Sequence, residues 1–173
     1  VFSNGIPKVA VHDLVIQTVA KDLVVGTHGR SIYKTNIAAL QQFNTIKNDK
    51  IGLFGIPSIR FSSRWGSSWN KWLKPTEPSV KISYYVLHSG KYTVDIFAED
   101  NTKLKSFTLN ALEGYNYFEY DVSVSEKIVD TYFSKNEISV KKAKNNNYYL
   151  PKGDYLIKIS GAKESAEQKF TIK

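Results

Sequence analysis

The sequence has no cysteine and no methionine. The first absence excludes disulfides, thiolate metal sites and cysteine nucleophiles together. It leaves the compartment open, because an exported chain does not require disulfides. The second leads us to expect a processed or cut-out piece of a longer protein, with any export signal lying upstream. Arginine is scarce: Arg30, Arg60 and Arg64 are the only three, which is thin for nucleic-acid recognition. No apolar run approaches the roughly 18 residues of a membrane-spanning helix, so no membrane span is expected. Gly-rich phosphate loops, a Gly-x-Ser-x-Gly elbow and EF-hand spacing are all missing, and no His/Asp/Glu cluster has metal-ligand spacing. No cofactor is expected.

What is present is a chain of 173 residues, enough for one or two domains. Its net charge of +8 permits contact with acidic polymers or anionic surfaces. The lysines, however, are spread along strands and loops, as on a solvated β-protein. Aromatic residues make up 13%, including 11 tyrosines, a composition that suits strands.

The most specific string is Asp22-Leu-Val-Val-Gly-Thr-His-Gly-Arg-Ser-Ile-Tyr33. It reads as strand, tight turn, strand, preceded by another strand over Val9 to Thr18. Asn4-Gly5 and Pro7 are turn signals at the entry. Gly29 accepts positive φ at no cost, and His is enriched in such turns, so His28 reads as a turn residue rather than a ligand. Three such strands cannot bury their own apolar faces. We therefore expect residues 9–35 to pack on the rest of the chain or to pair with a second copy as a homodimer.

Residues 39–78 read as a linker punctuated by Gly52, Gly55, Pro57, Pro75 and Pro78. Inside it lies Arg60-Phe-Ser-Ser-Arg-Trp-Gly-Ser-Ser-Trp-Asn-Lys-Trp72. Trp65, Trp69 and Trp72, with Arg60 and Arg64, are the candidate carbohydrate-binding residues: aromatic planes stack on sugars, and guanidinium groups pair with carboxylates or sulfates. The competing reading is that the tryptophans pin the connector to its neighbours by burial.

From residue 79 onward, alternating stretches (Val80 to Val86, Tyr92 to Ala98, Leu104 to Leu109, Asn116 to Val124, Tyr155 to Ser160, Gln168 to Ile172) recur with turn signals between them. That rhythm predicts a β-sandwich. Ser125 to Tyr148 breaks it. Ile128, Val129, Tyr132 and Phe133 fall at helical spacing, and Lys141-Lys-Ala-Lys-Asn-Asn-Asn147 predicts a mobile basic loop.

The run Val11 to Ile16 followed by Asp22 to Tyr33 resembles the last blade of BNR-repeat, sortilin-like β-propellers. These are exported bacterial proteins often described as glycosyl hydrolases. The Asp-box of such repeats is absent here, so no residue role transfers. Residues 79–173 resemble the FlgD-type immunoglobulin-like module through Tyr92-Thr-Val-Asp-Ile-Phe97, Gly114-Tyr-Asn-Tyr-Phe-Glu-Tyr120 and Pro151-Lys-Gly-Asp-Tyr-Leu-Ile-Lys-Ile159. The same order occurs in C-terminal sorting tails of the type nine secretion system. The expected fold is mainly β: a small antiparallel sheet, the remnant of a last propeller blade, over residues 1–38, the linker over 39–78, and an immunoglobulin-like sandwich over 79–173.

Catalysis finds little support. The arginine triad of propeller sialidases cannot be assembled from three arginines of which two share a loop. His12, Asp13 and Ser31 form a triad only on paper, because neighbouring strand residues point to opposite faces. His88 lies at a turn. Glu119 and Asp121 share a strand face and read as solvated acids, as does Glu113. Two readings remain. The first is a non-catalytic accessory region of an exported, glycosyl-hydrolase-like propeller protein, serving support, interaction or sorting, with the propeller and a glycan or cell-surface component as partners. The second is a carbohydrate-binding module.

Overall fold

The structure, a computed structural model, describes residues 6–46 and 49–173; the turn signal at Asn4-Gly5 lies outside the described residues. The fold is mainly β, built of small antiparallel sheets without a closed barrel, as the alternation predicts. The chain forms two compact units that divide after Thr45.

The first unit holds β1 (Val11–Gln17), β2 (Asp22–Thr27) and β3 (Ile32–Asn36), antiparallel in that order. Its turns are closed by side chains. Thr27 Oγ1 donates to the Ser31 carbonyl at 2.6 Å and accepts from Ser31 N–H at 3.1 Å. Between them Gly29 takes φ 67°, the left-handed region that favours glycine. Asn36 closes the other end, its Nδ2 donating to the Ala20 carbonyl at 2.7 Å and its Oδ1 accepting from Ala38 N–H at 3.1 Å. That cap starts α1 (Ala38–Ile46). The backbone is thus well paired, but the side chains are not covered. Val25 and Ile37 are the only buried apolar residues among those described in this unit, and every residue of β1 is exposed.

The second unit is a two-layer sandwich. One layer orders β12 (Ser165–Ile172), β11 (Gly153–Ser160), β6 (Gly90–Ala98) and β7 (Lys103–Ala111). The other orders β4 (Ile51–Leu53), β5 (Val80–Val86) and β8 (Gly114–Tyr120). A two-stranded ribbon, β9 (Ser123–Val124) with β10 (Tyr148–Tyr149), completes it. Alternate residues face inward, as the period of two requires. Val80, Ile82, Tyr84 and Val86 from β5 share one core with Val94 and Ile96 from β6 and Ile157 and Ile159 from β11. Truncating any fully buried member, such as Ile157, removes transfer energy and leaves a cavity, at a cost of about 2–5 kcal/mol.

Several expectations change. The linker region contributes structure: Ile51–Leu53 pairs with Val86 to Tyr84 and is buried, and Ile59 bridges Ile172 in the last strand. A three-residue strand with a glycine at its centre has no alternation to read, so only its tertiary pairing defines it. The strand expected over Asn116 to Val124 is interrupted. Val122 takes φ 57° with its side chain fully buried, a conformation that a β-branched residue adopts only under constraint. The constraint is Asp121, which accepts from Ser123 N–H at 3.1 Å and Oγ at 2.8 Å and pairs with Lys105 at 3.1 Å. The helical spacing after Ser125 is realised as α2 (Glu126–Ile128) running into a π-helical turn, Val129–Phe133, that buries Val129 and Phe133. The basic loop expected to be mobile is a hydrogen-bonded turn, with Ala143 N–H donating to the Asn147 carbonyl at 2.9 Å.

The Asp121 corner makes the fold acid-sensitive. Burial tends to raise its pKa, but the Ser123 hydrogen bonds and the Lys105 charge outweigh burial and hold it below the ordinary carboxylate value. A depressed folded pKa gives stability that is present above the unfolded value of about 4 and is lost as pH falls through the folded one. We predict that the melting temperature falls on acidification below about pH 4, and that Asp121→Asn lowers it at neutral pH while flattening that acid limb. Thermal unfolding across pH measures both.

Candidate functional site

The aromatic cluster of the connector is the one sequence feature with recognisable binding chemistry, and the fold divides it. Phe61 N–H donates to the Lys173 carbonyl at 2.8 Å, so the segment runs beside the end of β12. The chain then turns, with Trp65 N–H donating to Ser62 at 3.2 Å and Ser67 N–H to Arg64 at 3.0 Å. The turn drives Trp65 inward. Its ring meets Phe61 edge-on at 5.1 Å and Tyr149 at 5.9 Å, leaving it 8% exposed.

Gly66 follows with φ 73° and no room for a side chain. A Cβ there would lie 2.6 Å from Ala143 Cβ and 2.3 Å from Asn145 Oδ1. Its N–H donates to the Thr76 carbonyl at 2.8 Å, and Thr76 N–H returns to Ser67 at 2.9 Å. These two bonds form a neck, and residues 68–75 project from it as a finger. At the tip Asn70 Oδ1 accepts from the N–H groups of Trp72 (2.9 Å) and Leu73 (3.1 Å), fixing a tight turn. Trp69 is 88% exposed, Trp72 83% and Leu73 56%. Lys71 lies over the Trp72 ring, 4.9 Å from its centroid.

Of the candidate carbohydrate-binding residues, Trp69 and Trp72 therefore share the finger, Trp65 belongs to the core, and Arg60 and Arg64 are exposed on the segment leading to it. Beside Trp65 lies a groove of about 370 Å³ with Phe61, Val140, Ala143 and Tyr149 among its walls and Lys141, Lys142 and Lys144 along it. This loop is tied to the finger's neck: Asn145 Nδ2 donates to Glu77 and to Tyr149 Oη, each at 2.8 Å. Sequence reasoning missed this association. The only hint was Gly66 directly after Trp65, a glycine that can mark a close backbone approach.

The other chemical candidates are occupied elsewhere. His12 stacks on His28, with centroids 4.9 Å apart. Asp13 accepts from Leu14 N–H at 2.8 Å, and Ser31 is held by Thr27. Glu119 accepts from Ser79 at 3.1 Å, whereas Asp121 serves its own corner. Asp95 is buried and sits 3.1 Å from Lys103 Nζ, within ion-pairing distance. Among the described residues, no group of three or more His, Asp or Glu is arranged to hold a metal ion.

No protein-family model matches the sequence, and no curated protein is significantly similar to it. Among solved structures, the chain is similar to dimeric latent PorU from Porphyromonas gingivalis, with a TM-score of 0.40 and 10% identity over 87% of this chain. The match spans 12% of the PorU chain. A likeness of that degree defines neither a family nor a function here.

The split of the cluster has a direct consequence for stability. Trp65→Ala opens the space between Phe61 and Tyr149 and is predicted to cost about 3–5 kcal/mol. Trp69→Ala and Trp72→Ala should each change stability by less than about 0.5 kcal/mol. Denaturant unfolding of the three variants separates an anchor from a free tip.

Proposed function

We propose that this chain is a non-catalytic accessory region of a larger exported bacterial protein, in which the three-stranded sheet belongs to the end of a β-propeller and the sandwich serves support, interaction or sorting. The observation that carries the reading is the state of β1. Val11, Leu14, Val15 and Ile16 are exposed on consecutive and alternate positions, and Ile32 on β3 is exposed with them. Three strands paired to one another, with open edges on β1 and β3 and bare apolar side chains, are what a propeller blade presents when its neighbours are removed. The sandwich has the opposite character, with one continuous apolar core.

The resemblance to BNR-type blades and FlgD-type modules supports the same arrangement. Whether the larger protein hydrolyses glycosides is a property of its propeller. The carbohydrate-binding alternative drew on three tryptophans acting together. With Trp65 in the core, a sugar would have only Trp69 and Trp72, one of whose faces is already occupied by Lys71.

The test compares this chain with the same chain carrying the propeller that precedes it. The bare sheet should enhance the fluorescence of an apolar dye such as ANS, and Leu14→Lys with Ile16→Lys should reduce that signal. In the longer protein the enhancement should fall severalfold, while removal of residues 79–173 should leave any propeller activity intact and impair export or retention. Equal dye binding in both forms overturns the reading. So does a dimer in sedimentation that shields Leu14 and Ile16, because the sheet is then completed by a second copy.

A further inference from the structure

We propose that the finger at residues 68–75 is a membrane-docking element that seats Trp69, Trp72 and Leu73 in the interfacial layer of an anionic lipid bilayer. The tip has the composition that such an interface selects. Indole rings partition to the boundary between headgroups and acyl chains, an aliphatic side chain reaches deeper, and lysines beside them meet lipid phosphates. Trp69 and Trp72 are 88% and 83% exposed, and Leu73 follows directly. Lys71 and Lys74 flank them, both exposed.

The finger is also built to present this tip. Trp65 fixes its root in the core, the Gly66–Thr76 and Ser67–Thr76 bonds close its neck, and Asn70 shapes its turn. An ordered loop loses less entropy on docking than a floppy one. The charge around the neck agrees in sign. The loop that packs on Gly66 brings Lys141, Lys142 and Lys144 to the same end of the sandwich. Glu126 pairs with Lys142 at 3.6 Å, and Glu77 accepts from Asn145. Lys141, Lys144, Lys71 and Lys74 carry no ion pair among the described residues.

A lipid surface fits these groups better than a sugar does. Sugar recognition needs side-chain acceptors and donors for hydroxyl groups beside the ring platform. Here the one amide of the finger, Asn70, uses its oxygen on the backbone, and its other polar side chains are Lys71, Lys74 and a single hydroxyl, Ser68, next to the neck. Leu73 has no role in sugar stacking but a clear one in a bilayer.

The experiment is flotation of the full chain with vesicles of seven parts phosphatidylcholine to three parts phosphatidylglycerol, alongside pure phosphatidylcholine, with tryptophan emission followed in parallel. Binding to the anionic vesicles should exceed binding to the neutral ones by about a hundredfold, as roughly four interfacial lysines allow, and should weaken in high salt. Emission should shift to the blue on binding, since Trp65 is already buried and contributes a constant background. Trp69→Ser with Trp72→Ser should weaken binding by at least about tenfold, and Lys71→Gln with Lys74→Gln should remove most of the preference for anionic lipid. Because these side chains are exposed, an unchanged melting temperature confirms that the variants are folded. Absence of flotation, or flotation without a blue shift, overturns the proposal. Retention on insoluble polysaccharide that depends on Trp69 and Trp72, without vesicle binding, overturns it in favour of a glycan.

Discussion

Burial of alternate side chains between two facing sheets is the constraint on which the second unit depends. β5, β6 and β11 each present apolar residues at every second position, and the fully buried set includes Ile82, Val94, Ile96, Ile157 and Ile159. Register cannot slip by one residue without turning that whole set to solvent. Everything irregular in the unit is hung on this frame. The Val122 conformation is affordable because its side chain joins the core, and the π-helical turn exists to insert Val129 and Phe133.

The first unit lacks any such constraint on its side chains. Its strands pair in register and its turns are capped, yet only Val25 and Ile37 are buried among its described apolar residues. Local pairing and side-chain burial are separate requirements, and a sheet can satisfy the first alone. That difference, rather than any catalytic group, is the clearest functional signal in the chain. It supports a larger β-structure as the sheet's setting.

Much of this was legible in the sequence, for identifiable reasons. The strands of the sandwich announce themselves because each is half-buried and so alternates, as Val80 to Val86 does. The helix after Ser125 is visible because Val129 and Phe133 keep a helical interval. Features set by distant partners were not legible. Ile51–Leu53 is a strand only because β5 lies beside it, and the 141–147 loop owes its order to its own Ala143–Asn147 bond and to contacts with Gly66, Glu77, Glu126 and Tyr149. The tryptophan cluster shows the same limit. Trp65, Trp69 and Trp72 are equivalent in composition and spacing, yet one is a core residue and two are surface residues. What separates them is Gly66, whose left-handed backbone turns the chain outward immediately after the anchor.

The central claim is that one chain joins a sandwich with a continuous apolar core to a sheet whose apolar side chains are exposed. Native-state hydrogen exchange, resolved by residue, tests it most directly. The account predicts amides of β5, β6 and β11 that exchange only through global unfolding, and amides of β1 that exchange many orders of magnitude faster through local opening. Equal protection in β1 and in the sandwich strands would contradict it.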